Sequence, residues 1–204
     1  MASVDEAPAL PVLQLGSYDG WKPGDFNAPY SMILQGYFQY LPAIEPVLPT
    51  IRQDLIQYLA PHREAMRAKY GIQHPQSFAF LHVRRGDYLK HPELHWTMEL
   101  SYYRNAIVAV NAKRWLLLSD DVAWCREQEL FTDFPMMQIA DEPDELNGLA
   151  LMSLCHGGAV IANSTYSWWG AMLGAEPAGS SVVYPSLWFS TEKPDLFPSH
   201  WIRL

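Results

Sequence analysis

The chain has 204 residues, of which 49% are hydrophobic and 18% charged; this fits one large or two small globular domains and excludes a disordered or fibrous protein. Its 14 Lys and Arg stand against 22 Asp and Glu, a formal net charge of -8, so the broad cationic surface of a nucleic-acid-binding protein is missing and any anionic ligand must be met by a local cluster. The excess of 8 Trp and 11 Tyr suits either a sugar or nucleotide cleft or an aromatic core.

In chain order, residues 1–29 are rich in Pro, Gly, Asp and Ala without a sustained period and read as an irregular arm. Residues 30–74 read as a helical lead-in. There Ile51, Leu55, Ile56, Leu59 and Met66 recur at helical spacing, Pro49 and Pro61 interrupt the pattern, and Gly71 is a stop signal, which predicts two consecutive helices. From 75 to 204 short apolar runs alternate with helical stretches. The run 78–83 precedes a helix near 102–111, 115–118 a short helix from Asp120, 136–139 a helix near 144–155, and 159–162 a helix starting near Ser167; 182–184 closes the series. Continuous apolar strands alternating with helices predict an α/β domain, a Rossmann-like doubly wound parallel sheet covered on both faces. Such sheets bind ligands at the carboxyl ends of their strands.

The loop after the first of these strands reads His82-Val83-Arg84-Arg85-Gly86-Asp87-Tyr88, the densest polar cluster in the chain. While the backbone stays extended, His82 and Arg84 share one face and Val83 and Arg85 the other. Arg84 is then placed to serve an anionic ligand and Arg85 to pair with Asp87 or a neighbouring carboxylate; a purely structural ion-pair cluster is the alternative. The junction Asn163-Ser164-Thr165-Tyr166-Ser167-Trp168-Trp169-Gly170 runs from a strand into a helix. Its hydroxyls and free helix N–H groups suit a diphosphate, or else simply cap the helix. Asn163-Ser164-Thr165 also matches a glycosylation sequon, read as incidental at the end of a buried strand. Ser119-Asp120-Asp121 reads as a helix start capped by Ser119 rather than as a metal site.

His74, His91, His95, His156 and His200 have no ligand spacing and read as surface or satisfied residues, and no P-loop or G-x-G-x-x-G stretch is present. Cys125 and Cys155 form no disulfide framework and no zinc spacing, which predicts packed thiols. No apolar run reaches the roughly 18 residues of a membrane span, and residues 1–10 lack the features of a signal peptide. The expectation is a chain soluble as written, cytoplasmic or membrane-associated.

His82-Val83-Arg84-Arg85-Gly86-Asp87-Tyr88, Leu118-Ser119-Asp120-Asp121 through Trp124-Cys125, and Leu151-Met152-Ser153-Leu154-Cys155 through Asn163-Ser164-Thr165-Tyr166-Ser167-Trp168-Trp169-Gly170-Ala171 resemble the successive motifs of glycosyltransferase family 11, the α-1,2-fucosyltransferases. Ile33-Leu34-Gln35-Gly36-Tyr37-Phe38-Gln39 resembles the stretch before that family's helical region. The resemblance implies inverting transfer of fucose from GDP-fucose to a galactoside hydroxyl, on the nucleotide-binding half of a GT-B scaffold, with no cofactor and no metal. It implies that Arg84 holds the β-phosphate, with His82 near the nucleotide and Ser164, Thr165 and Ser167 completing the diphosphate site.

Two departures qualify the likeness. The Gly-rich segment that opens the family's N-terminal acceptor domain is absent, which leads one to expect that this half is missing. Gly148 stands where an acidic residue that could read guanine is aligned, leaving Asp144 or Glu145 as substitutes. Asp87, Asp120 and Asp121 are candidates for the base that deprotonates the acceptor. The expected partners are a nucleotide-sugar donor and a glycan acceptor, no nucleic acid, and either a second copy of the chain or an acceptor domain packing near Trp168, Trp169 and Trp188; peripheral membrane association is compatible with this. Alternative readings are a non-catalytic sugar-nucleotide or glycan-binding module and a transferase for another nucleotide sugar.

Overall fold

The computed structural model describes residues 12–14, 33–35, 39–189 and 195–204. The chain divides into two compact units, residues 1–49 with 194–198, and residues 50–193 with 199–204. In the first, β1 (Val12–Gln14) pairs in parallel with β2 (Ile33–Gln35), and α1 (Leu41–Ile44) begins where the Leu41 N–H donates to the Asp195 carbonyl at 2.7 Å. The arm expected over 1–29 lies outside the described residues except for β1, which is extended and paired rather than irregular. Gly36, Tyr37 and Phe38 also lie outside them.

The second unit carries the core. Its helical part is α2 (Leu48–Tyr58), most of which belongs to this unit, and α3 (Ala60–Lys69). Pro49 and Pro61 sit in the first turns of these helices, where a missing N–H costs nothing, so they open the helices instead of interrupting them. Gly71 ends α3 at φ 63°, a left-handed conformation that lets the Ile72 N–H reach the Arg67 carbonyl at 3.0 Å.

Six strands follow: β3 (Phe78–Val83), β4 (Arg114–Ser119), β5 (Met137–Ala140), β6 (Ala159–Val160), β7 (Val182–Tyr184) and β8 (Ile202–Arg203). They form one parallel sheet in the order β5-β4-β3-β6-β7-β8. Numbered within the sheet this is 3-2-1-4-5-6, the order of doubly wound nucleotide-binding sheets, with its topological switch between β3 and β6. The connections are α4 (Leu100–Val110), α5 (Val122–Arg126), α6 (Glu129–Thr132), α7 (Glu145–Ser153) and α8 (Thr165–Leu173).

All six residues of β3 are buried, as expected for a central strand covered on both faces. Ala79, Leu81 and Val83 join Trp115, Leu117, Tyr103, Ile107 and Phe131 in one apolar cluster. By strand parity Phe80 and His82 take the opposite face, where the His82 ring meets Tyr166 of α8 edge-on at 5.7 Å. The unit boundary falls at residue 49, not at 74 as expected: His62 Nδ1 lies 2.8 Å from Asn147 Oδ1 and the Arg63 guanidinium donates to the Ser153 carbonyl at 3.0 Å, tying α3 to α7. Both cysteines are buried and unpaired, and burial pushes the Cys125 thiol up to about 11 and Cys155 further still, which makes them packed thiols and not nucleophiles.

Candidate nucleotide site

At the carboxyl ends of β3 and β6, across the switch point, the second unit opens into a cavity of about 800 Å³. Of the residues singled out in the sequence, His82, Arg84, Asp87, Asp120, Glu145, Ser164 and Thr165 line it. Arg85, Asp121, Asp144 and Ser167 do not. The Arg84 side chain is about a third exposed; its Nη2 lies 2.6 Å from Asp87 Oδ1 and its Nη1 3.1 Å from Asp120 Oδ2, while the buried Nε has no partner among the described residues. Its guanidinium also stands 5.2 Å from the Tyr88 ring centre.

Arg85 turns to the other face, as strand parity predicts, and of the expected partners, Asp87 or a neighbouring carboxylate, it takes the second. Its Nε lies 3.3 Å from Asp121 Oδ2, and its guanidinium stacks on Trp124 at 3.9 Å. The helix start differs from expectation. Asp121, not Ser119, caps α5, accepting the Trp124 N–H at 3.1 Å, and the Ser119 hydroxyl accepts the Asp121 N–H at 2.9 Å. Asp121 therefore has one oxygen in the cap and the other on Arg85. Asp120 accepts the Arg85 backbone N–H at 2.9 Å through Oδ1 and pairs with Arg84 through Oδ2.

His82 is 3% exposed, and burial, with Arg84 nearby, lowers its pKa to about 3, so its ring is neutral. Its Nδ1 has no hydrogen-bond partner among the described residues. On the β6 side α8 starts at Thr165 rather than near Ser167, and Ser164 at the N-cap makes no side-chain capping bond. Ser164 and Thr165 therefore line the cavity at the N-terminus of α8, with no capping bond from the Ser164 side chain, the alternative reading. Ser167 is buried and donates to the Ser164 carbonyl at 3.1 Å, which makes it part of the helix start and not of the cavity surface. Asn163 is 2% exposed and its Nδ2 donates to the carbonyls of Trp96 and Trp188 at 2.9 and 3.0 Å; in the folded chain this amide holds two loops and is not presented as a glycosylation site.

The far wall comes from the loop after β5, with Asp141, Glu142, Pro143 and Glu145, and from Gly148 and Tyr166. Asp144 instead caps α7, accepting the Asn147 N–H at 2.8 Å. A Cβ at position 148 would overlap the Tyr166 hydroxyl, which donates to the Glu145 carbonyl at 2.7 Å. Glu142 is nearly buried and held by the Tyr70 hydroxyl at 2.6 Å and Lys69 at 2.5 Å. His95, read as a surface or satisfied residue, also lines the cavity, stacked on Tyr88 at 4.0 Å.

Glu142 is not among the sequence candidates, and the sequence gives Tyr88, Tyr166 and His95 no site role of their own; Glu142 stands two residues after β5, so the rule that ligands sit at strand carboxyl ends points to it. Trp168 and Trp188 are each 1% exposed, so they belong to the chain's own interior and not to the docking face expected of them. Among the described residues no three His, Cys, Asp or Glu side chains converge as a metal site, and no helix is long and apolar enough to cross a membrane.

The cavity thus joins one cation and a helix N-terminus to a carboxylate-bearing wall, an arrangement that can hold an anionic group at one end and a hydrogen-bond-donating ring at the other. No solved structure matches the chain. It is 34% identical over 135 residues to the O-antigen biosynthesis glycosyltransferase WbnK of Escherichia coli, 61% of this chain and 43% of that protein. It is 30% identical over 136 residues to an alpha-1,2-colitosyltransferase of Escherichia coli, 61% and 46% of the two chains. A galactoside 2-alpha-L-fucosyltransferase of Bos taurus is 27% identical over 151 residues, 66% and 40%. The chain spans less than half the length of these relatives. The profile described as Glycosyl transferase family 11 matches residues 26–202, and the chain belongs to that family.

Proposed function

We propose that this chain is the donor-binding part of an inverting glycosyltransferase that moves fucose from GDP-fucose to a galactoside hydroxyl, in the manner of the donor half of a GT-B enzyme. The observation that carries this reading is the switch-point cavity with Arg84 on the β3 side and the α8 N-terminus on the β6 side. The donor diphosphate lies between them, against Arg84 and the first turn of α8 with Ser164 and Thr165, and no metal is invoked. The nucleobase lies toward Glu142, Glu145 and Tyr166, and the two glutamate carboxylates accept from the ring N–H groups of guanine. Asp144, turned into its helix cap, takes no part in this.

In the transfer step the acceptor oxygen attacks the anomeric carbon, the bond from that carbon to the β-phosphate oxygen breaks, GDP departs, and the acceptor proton passes to a carboxylate. Arg84 stabilises the charge that develops on the leaving diphosphate. Asp121 and Asp120 have both oxygens engaged, whereas Asp87 is 59% exposed and bonded through one oxygen to Arg84. An exposed pair of this kind is worth little, so an arriving diphosphate displaces Asp87 from Arg84 and leaves its carboxylate to act as the base. This orders the reaction: donor first, then acceptor.

The test is incubation with a panel of GDP- and UDP-sugars and β-galactoside acceptors. Fucosylated product or acceptor-independent release of GDP from GDP-fucose supports the reading. Release from a UDP-sugar alone assigns another donor, and binding of GDP without turnover assigns a binding module.

A further inference from the structure

One carboxylate on the far wall of the nucleotide cavity is held by a helix that does not itself line the cavity. Lys69 ends α3, Tyr70 is its C-cap, and Gly71 turns the chain away at φ 63°. Lys69 Nζ lies 2.5 Å from Glu142 Oε1, and the Tyr70 hydroxyl donates to the same oxygen at 2.6 Å. Burial and the neighbouring carboxylate push the Tyr70 hydroxyl well above its usual pKa, so it stays a donor. The other oxygen, Oε2, accepts from no donor among the described residues. The Glu142 side chain is only 4% exposed, so water does little to satisfy it, and a desolvated carboxylate with a free oxygen calls for a donor from a ligand. The other carboxylates of this wall differ. Glu145 is exposed in the first turn of α7, and Asp141 is exposed and paired with Arg126 at 2.9 Å.

We propose that Glu142 is the residue that selects the nucleobase, that it reads a single ring N–H through Oε2, and that Lys69 and Tyr70 are positioning residues that reserve Oε1 and aim Oε2. This rests on the nucleotide-sugar reading and adds a selection rule to it. With one oxygen left, Glu142 takes one donor, the N1–H of a 6-oxopurine, and not that N–H together with the exocyclic amino group of guanine. Guanine and hypoxanthine both supply the donor. Adenine instead turns the N1 lone pair toward the carboxylate and leaves Oε2 buried and unpaired, the circumstance in which a polar site discriminates most strongly.

GDP, inosine diphosphate and ADP are titrated calorimetrically into the full chain and into Glu142→Gln, Tyr70→Phe and Lys69→Met, with thermal melting as the check on folding. The wild type should bind GDP and inosine diphosphate within about threefold of each other and ADP about thirtyfold more weakly. In Glu142→Gln the amide oxygen stays with Lys69 and Tyr70 and the amide N–H group takes the place of Oε2, so GDP affinity falls by about thirtyfold while ADP affinity rises. Lost packing alone does not produce that inversion. Tyr70→Phe should narrow the GDP-to-ADP ratio by about tenfold, and Lys69→Met, whose ammonium is half-exposed, by about threefold. Inosine diphosphate binding about tenfold or more weaker than GDP overturns the single-donor rule. An unchanged GDP-to-ADP ratio in Glu142→Gln, or in both Tyr70→Phe and Lys69→Met, overturns the roles given to those residues. If the folded wild type binds no GDP, the nucleotide-sugar reading itself fails; if it binds GDP but these ratios go the other way, the inference alone fails.

Discussion

Asp120 holds two consecutive arginines at once: its Oδ2 lies 3.1 Å from the Arg84 guanidinium and its Oδ1 accepts the Arg85 backbone N–H at 2.9 Å. It reaches that position only because residue 86 has no side chain, since a Cβ there would stand 2.5 Å from Asp120 Oδ2. The Arg84-Arg85-Gly86-Asp87 run and the Ser119-Asp120-Asp121 run are thus two halves of one device that aims Arg84. Asp120→Ala and Gly86→Ala should each weaken GDP binding by about tenfold through the loss of that aim. Calorimetric titration with GDP checks this, and wild-type affinity in both variants would remove Asp120 from the account.

Asp87 should behave in the opposite way. Removing its charge with Asp87→Asn takes away a competitor for Arg84, so GDP affinity stays level or rises while transfer falls by about a hundredfold or more, the usual loss for a general base. A parallel fall in GDP affinity would place Asp87 with Asp120 as a support of Arg84 instead.

The acid limb of stability should carry the mark of His82. Its folded-state pKa of about 3 lies below the ordinary value of 6.5. Between those values the unfolded chain binds the proton that the folded chain refuses, and stability falls as pH falls through that window. The slope from one such group is at most about 1.4 kcal/mol per pH unit. His156 is shifted down as well, by burial and by Arg63, so His82→Gln should flatten the curve without levelling it. Denaturant unfolding from pH 7 to pH 4 measures this, and an unchanged slope would contradict a neutral buried His82.

Gly148 and Tyr166 should be coupled. Because a Cβ at 148 overlaps the Tyr166 hydroxyl, Gly148→Ala forces the ring out of the cavity wall or strains the helix pair, at a cost of about 1–3 kcal/mol. Tyr166→Phe removes the obstructing oxygen, so the double variant should be more stable than the sum of the single effects. Additive melting shifts would refute the coupling.

How legible these features were in the sequence depended on burial. β3 and β7 were read to the residue, because a strand covered on both faces is a continuous apolar run. β8 was missed: two residues, one of them Arg203, give no period to read. An extended backbone alone puts His82 and Arg84 on one side of the strand and Arg85 on the other, as found. Which carboxylate each arginine takes stays open in the sequence. Arg85 goes to Asp121, and Arg84 to Asp120 as well as to Asp87 of its own loop, because β4 lies beside β3 and brings its Asp pair alongside, a tertiary fact that spacing in one loop does not contain. A helix starting near Ser167 leaves that hydroxyl in the cavity, but α8 starts two residues earlier, at Thr165, and one turn of helix decides whether a hydroxyl faces ligand or backbone.

The central claim is that Arg84 at the switch point binds the diphosphate of a nucleotide sugar. Isothermal titration of GDP into the wild type and Arg84→Ala tests it most directly. Wild-type binding should be saturable and should weaken by about 1.5–3 kcal/mol in the variant, the value of charge-assisted hydrogen bonds to phosphate. A folded wild type that does not bind GDP, or an Arg84→Ala chain that binds it equally well, would contradict it.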